Sequence, residues 1–298
     1  MENNLIKKIN FESLDFPKRL KKIKYCPKEL YYRGNLEVLE NKHILAVVGT
    51  RMMTSYGKRA LRLLIPEIVK RNIAIVSGLA RGVDVFAHKL TLENRGKAIG
   101  VLAGGLDQIY PSEHSDFADD IIRNGGLLIS ENCPGTKYLK QYFPARNRII
   151  SGVSDAVLLI EAKRKSGALI TAKFAFSQAR KVIVVPGNIF SKQSQGINDL
   201  FNKGALPAQS PEEILKILFG WKRLRAIKRS QNKDANAPSN LSSEEKLILN
   251  NIQFDLPITA SLIIRQTKMS SAKVIAILTQ LEIDNLIESG HNSGYIRI

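Results

Sequence analysis

The sequence is poor in the residues from which compact chemical sites are usually built. Of its 298 residues, two are cysteine and four are histidine. Cys26 and Cys133 lie far apart with no CxxC spacing, and the histidines are scattered, so neither a disulfide framework nor a metal site is expected. No apolar run approaches the ~20 residues of a membrane-spanning helix. The opening MENNLIKKINFES has no apolar signal-peptide segment. A soluble, cytoplasmic protein with no membrane partner is the expectation. Acidic residues are also scarce, 27 against 45 Lys and Arg, which leaves a net charge of +18. Such an excess suits a polyanionic partner.

The excess is unevenly spread. Residues 1–42 carry +4, residues 43–220 carry +10, residues 221–240 carry +5, and residues 241–298 carry −1. Electrostatic binding therefore belongs to the middle of the chain. There, short apolar runs alternate with amphipathic stretches: ILAVVGTR (44–51), IAIVSGLA (73–80), KAIGVLAGG (97–105), LLISEN (127–132), DAVLLIEA (155–162) and KVIVVPG (181–187). Strands apolar on both faces and separated by helices predict a doubly wound α/β domain, a Rossmann-like parallel sheet covered on both sides. Pro66 within the first helical pattern predicts a kink or an early stop. Residues 1–42 read as an N-terminal extension, and 221–240, rich in Lys, Arg, Asn and Ser, as a basic linker. The end of the chain, with three helical patterns and a Gly-bounded hairpin, predicts a small C-terminal winged-helix domain over 241–298.

In an open parallel sheet, ligands bind beyond the carboxyl ends of the strands. The turns there are Gly49-Thr50-Arg51, Ser77 through Gly82, Gly104-Gly105, and Lys163 through Gly167, including Lys165 and Ser166. Glycine lets a ligand approach the backbone, and the following helix N-terminus offers N–H groups to an anion. Ser55 and Ser166 are candidate caps for two of those helices. The first turn is not GxGxxG and lacks an acidic residue for a ribose hydroxyl, so no dinucleotide cofactor is expected. FPARNR (143–148) places Arg146 and Arg148 just before the strand at 155–162, over the same crevice, where a guanidinium fork suits phosphate. The competing reading for each arginine is a structural ion pair with Glu131 or Glu161. Phe143 is a candidate for stacking on a base, or for ordinary packing.

These segments resemble the DprA family of DNA-processing proteins, also called Smf. The resemblance rests on LYYRGNLEVL (30–39), VVGTRMMTSYG (47–57), IVSGLARGVDVFAH (75–88), GGLDQIYP (104–111), SENCPGT (130–136), FPARNRIISGVSD (143–155), EAKRKSGALITA (161–172) and VVPG (184–187), in family order. It implies a cytoplasmic, dimeric protein without catalytic residues. Such a protein binds single-stranded DNA during natural transformation, protects the incoming strand and helps load the recombinase RecA. Carried over by motif, the phosphate-binding positions fall on Arg51, on Ser77, Gly78, Ala80 and Gly82, and on Arg146 and Asn147. Lys140 and Phe143 fall in the DNA-contacting loop.

The alternative is an enzyme, a nucleoside-monophosphate phosphoribohydrolase-like Rossmann protein. That family uses a PGGxGT stretch near a glutamate, whereas this chain reads EAKRKSGALIT. Glu161 is the one acid/base candidate, against a helix-capping or arginine-pairing role. The winged helix is a poor primary DNA reader, because phosphate contact dominates affinity and its net charge is −1. Deleting residues 241–298 is therefore expected to leave single-strand affinity within about tenfold of the full chain, or about 1.4 kcal/mol, by oligonucleotide titration. A larger loss would put the binding surface in the tail.

Overall fold

The structure, a computed structural model, describes residues 5–220, 241–253, 257–284, 286–289 and 294–297. The basic linker expected at 221–240 lies outside the described residues, as does the turn of the C-terminal hairpin. The chain divides into two compact units, Met1–Leu224 and Arg225–Ile298.

The first unit is built on a nine-stranded sheet, numbered here in chain order. Its strands are β1 (Lys7–Asn10), β2 (Glu29–Gly34), β3 (Ile44–Val48), β4 (Ala74–Ser77), β5 (Ala98–Val101), β6 (Leu127–Ser130), β7 (Ala156–Leu159), β8 (Lys181–Val184) and β9 (Leu206–Pro207). Across the sheet they run β1-β2-β6-β5-β4-β3-β7-β8-β9. From β6 to β9 all neighbours are parallel.

All five residues of β3 are buried, and their alternation sends successive side chains to opposite faces. Ile44, Ala46 and Val48 join one core cluster with α5 (Tyr142–Val153) and α6 (Ala168–Ser177). Leu45 and Val47 join another with α2 (Ser55–Val69), α3 (Val83–Glu93) and α8 (Pro211–Phe219). The remaining helices of this unit are α1 (Lys18–Lys21), α4 (Ser115–Arg123) and α7 (Gln195–Phe201). This is the doubly wound α/β sheet that the two-faced apolar runs predict.

Of the kink or early stop expected at Pro66, the early stop does not occur, and the expected cap Ser55 is not the cap. Helix α2 does not stop at Pro66 but continues to Val69. Leu64, Ile65, Ile68 and Val69 on either side of the proline are all buried, and that packing outweighs the one backbone bond a proline removes. The cap of α2 is Thr54, whose hydroxyl accepts from the Gly57 N–H, rather than Ser55, which is the first helical residue.

The segment before residue 43 is not an appendage to the sheet. Strand β1 pairs antiparallel with β2, and β2 pairs antiparallel with β6. Phe16, Leu20 and Leu30 are 1%, 0% and 0% exposed in the core shared with α5. The polar β1, with Ile9 its one buried residue, hides this strand from a periodicity reading.

In the second unit a capping box opens α9 (Ser243–Asn251): the Ser242 hydroxyl accepts from the Glu245 N–H, and the Glu245 carboxylate accepts from the Ser242 N–H. Helices α10 (Ala260–Thr267) and α11 (Ser271–Ile283) follow. A three-stranded sheet of β10 (Ile258–Thr259), β11 (Ile287–Ser289) and β12 (Gly294–Arg297) completes it in the order β10-β12-β11. Ile248, Ile263, Val274, Leu278 and Leu281 form its core.

If β2 is integral to the sheet, Leu30→Ala will destabilise the first unit by about 2–5 kcal/mol in denaturant melts, as for other buried leucines. An appended segment would leave the melt unchanged.

Candidate nucleic-acid interface

The chain leaves β3 for β4, β5 and β6 on one side and returns to β7 on the other. Strands β3 and β7 are therefore neighbours whose following turns diverge, and that divergence opens a crevice at their carboxyl ends. A cleft of about 460 Å³ lies there, lined by Gly49 through Met52 after β3, by Lys163 and Lys165–Ala168 after β7, and by Phe143, Arg146 and Asn147 of α5. A smaller cleft of about 170 Å³ shares Arg51, Met52, Phe143 and Arg146 with it and reaches Gly78, Arg81 and Tyr110.

The turn after β3 is held from below by Glu161, which is 2% exposed. One of its carboxylate oxygens accepts from the Thr54 N–H at 2.9 Å and the other from the Thr54 hydroxyl at 2.5 Å. Its backbone carbonyl accepts from the Thr50 N–H at 2.7 Å. The carboxylate thus orders the turn from which Arg51 projects. The Arg51 guanidinium is exposed and lies 5.5 Å from the centre of the Phe143 ring. Phe143 in turn meets Tyr110 at 5.7 Å and Tyr138 at 6.2 Å, and the two tyrosines meet at 5.1 Å. Burial pushes the Tyr138 phenol up to about 12.

The two arginines of FPARNR lie on α5 and have different environments. Arg146 is 5% exposed. Its guanidinium donates to the Gly78 carbonyl at 2.9 Å, to the Val101 carbonyl, and to the Asn147 side-chain oxygen at 3.1 Å. Burial lowers its pKa to about 10, with Arg51 adding to the fall and Asp84 opposing it, so it stays charged at neutral pH. Arg148 does not line the crevice; it forms an ion pair with Glu131, as the competing reading allows. Spacing of two along a helix turns side chains apart by roughly 200°, which is why the pair is divided.

Several of the positions carried over by motif have their polar groups engaged within the fold. The Ser77 hydroxyl donates to the Val47 carbonyl at 2.6 Å. The Asp84 carboxylate, 7% exposed, accepts from the N–H groups of Gly78, at 3.1 Å, and of Ala80. Burial nonetheless raises the Asp84 pKa. Gly78 and Gly82 are glycines for definite reasons. A Cβ on Gly78 would stand 2.6 Å from the Arg146 guanidinium, and Gly82, with φ at 77°, would put one 2.4 Å from the Thr50 carbonyl oxygen.

Asn147 donates to the Gly167 carbonyl at 3.3 Å, tying α5 to the β7 turn. The Ser166 hydroxyl accepts from the Ala168 N–H at 3.3 Å at the start of α6. Lys163 and Lys165 are exposed at the cleft, whereas Arg164 pairs with Asp199 and Arg81 with Glu113. Gly104 does not line either cleft; it packs under Tyr138. Lys140 is exposed just ahead of α5 and is not part of the lining. The structure adds Thr54, Asp84, Tyr110 and Tyr138, none of which stands out by spacing.

Two family models match the chain. One, DNA recombination-mediator protein A, spans residues 7–219. The other, the DprA winged helix domain, spans 232–292. The chain belongs to the DprA (Smf) family. A DNA processing protein DprA from Bacillus subtilis is 40% identical over 213 residues, 72% of this chain and 71% of that protein. The protein Smf of a Synechocystis strain is 34% identical over 312 aligned positions, 95% of this chain and 78% of its own. Among solved structures, DprA from Streptococcus pneumoniae superposes with a TM-score of 0.67 at 37% identity, over 72% of this chain and 75% of that one. DprA from Helicobacter pylori, described for its single-stranded DNA binding mode, gives 0.64 at 28% identity, over 77% of this chain and 99% of that one. Family membership carries a DNA-processing role.

Arg146→Ala would leave the Gly78 and Val101 carbonyls without their guanidinium donor and would remove the positive charge that opposes the burial of the Asp84 carboxylate. It is expected to cost about 3–5 kcal/mol in denaturant melts. A melt within 1 kcal/mol of the parent, on the order of an exposed substitution, would contradict the buried network.

Proposed function

We propose that the protein binds single-stranded DNA in the crevice at the β3–β7 switch point. In this reading it acts without catalysis, as a cytoplasmic dimer that protects incoming DNA during natural transformation and helps load RecA. The observation that carries the reading is the Arg51 guanidinium, exposed at the crevice and engaged with no carboxylate among the described residues, lying over Phe143 beside Tyr110. Arg51, Lys163 and Lys165 together offer a positive edge suited to backbone phosphates. Aromatic faces beside a phosphate site are useful only to bases free of a duplex stack, which favours a single strand over double-stranded DNA.

Two further features support the reading. The Helicobacter pylori relative, described for its binding of single-stranded DNA, is matched over 99% of its chain. The acid/base candidate of the enzyme alternative, Glu161, is buried with both oxygens engaged by Thr54, which suits a scaffold role better than proton transfer. The RecA and dimer elements rest on the family resemblance, and the near-neutral winged helix suits protein contact better than phosphate contact.

The test is a salt titration of labelled single- and double-stranded oligonucleotides. The single strand is expected to bind more tightly, and Arg51→Ala to flatten its log–log salt slope by about 0.7. Because Arg51 is exposed, the variant is expected to melt as the parent does. An unchanged slope with an unchanged melt would remove Arg51 from the DNA path.

A further inference from the structure

The loop after β8, residues 186–194, lies outside the lining of the crevice yet carries two exposed apolar side chains. Phe190 is 86% exposed and Ile189 72% exposed. Strand β8 is the parallel neighbour of β7 on the side away from β3, so this loop leaves the sheet at the same edge as the turns that form the crevice. It is also bonded to those turns. The Gln193 side chain donates to the Met52 carbonyl at 3.1 Å, and the Gln193 carbonyl accepts from the Ala162 N–H at 2.7 Å. The Tyr56 hydroxyl, in the first turn of α2, donates to the Pro186 carbonyl.

The loop is a pedestal with its own internal bracing. The Asn188 side chain accepts from the Phe190 N–H at 2.9 Å, and its carbonyl accepts from the Ser191 N–H at 3.0 Å. Gly187 lies so close to Ser194 that a Cβ would fall 2.2 Å from the hydroxyl. Bonds of this kind fix where the loop presents Phe190, which is 86% exposed. Between this loop and Arg51 stands Met52, 70% exposed, which lines both clefts. Lys192, two residues beyond Phe190, is exposed, as are Lys163 and Lys165 on the neighbouring turn.

We infer that the 186–194 loop is a base-stacking platform that continues the single-strand path beyond the crevice. Phe190 takes a nucleobase on its face, and Lys192 takes an adjoining phosphate. The inference rests on the crevice being the DNA site. An exposed aromatic flanked by lysines, on a braced loop at the same sheet edge, is the arrangement that sequence-tolerant single-strand binding requires. The lysines favour a polyanion over the apolar face of a second protein chain.

Full-length protein titrated with fluorescein-labelled oligo-dT at several salt concentrations tests it. Phe190→Ala is expected to weaken binding about tenfold, within the range found for lost base stacking. Its log–log salt slope should match the parent, because stacking releases no counterions, and Phe190→Trp should restore affinity. Lys192→Ala should instead flatten the slope by about 0.7. Unchanged affinity in Phe190→Ala, with Arg51→Ala still weakened, would overturn the platform and leave the crevice standing. Unchanged affinity and slope in Arg51→Ala would overturn the crevice itself. A Phe190→Ala protein that changes its sedimenting mass but not its affinity would make the loop a protein contact and overturn the platform.

Discussion

A guanidinium buried at the carboxyl ends of β4 and β5 fixes one wall of the crevice. Arg146 reaches from α5 to the carbonyl of Gly78, just past β4, and to that of Val101, the last residue of β5. A charged group 5% exposed is costly unless paired and fully hydrogen-bonded. Here the cost is offset by two backbone carbonyls, the Asn147 side chain and the nearby Asp84 carboxylate. Asp84 in turn organises the glycine-rich turn by accepting the N–H groups of Gly78 and Ala80. The turn, the helix and the strand ends are thus set in position together.

Around this network the positive charges divide by role. Arg146 is interior, Arg148, Arg81 and Arg164 are paired with Glu131, Glu113 and Asp199, and Arg33 with Asp119. Arg51, Lys163 and Lys165 stand exposed at the cleft. Exposed ion pairs add little stability, but they withdraw arginines from competition for phosphate. The local excess at the crevice therefore matters more than the net charge of +18 over the whole chain.

The sheet was legible because β3, β4, β5, β6 and β7 are buried throughout and alternate with helical segments, as strands of a sheet covered on both faces do. The edge was not. Strand β1 is polar at three of four positions, and its place beside β2 depends on pairing partners far along the chain. Gly49 through Arg51 and Lys163 through Gly167 were readable as strand-end turns. The separation of Arg146 from Arg148 was not, since it needs the helix that carries both. Asp84 and Tyr110 escaped for a related reason: an ordinary aspartate in the first turn of a helix and an ordinary tyrosine before a proline acquire their roles only through what the fold brings against them. Glu161 had been readable as a capping carboxylate, and it holds the cap residue Thr54.

The most direct test of the account is a crystal structure of the full-length protein with oligo-dT. The account predicts a backbone phosphate in contact with the Arg51 guanidinium at the carboxyl edge of β3 and β7, an unstacked base against Phe143 or Tyr110, and Arg146 still bonded to the Gly78 and Val101 carbonyls. An ordered strand bound elsewhere, with the crevice empty and Arg51 facing solvent, would contradict it.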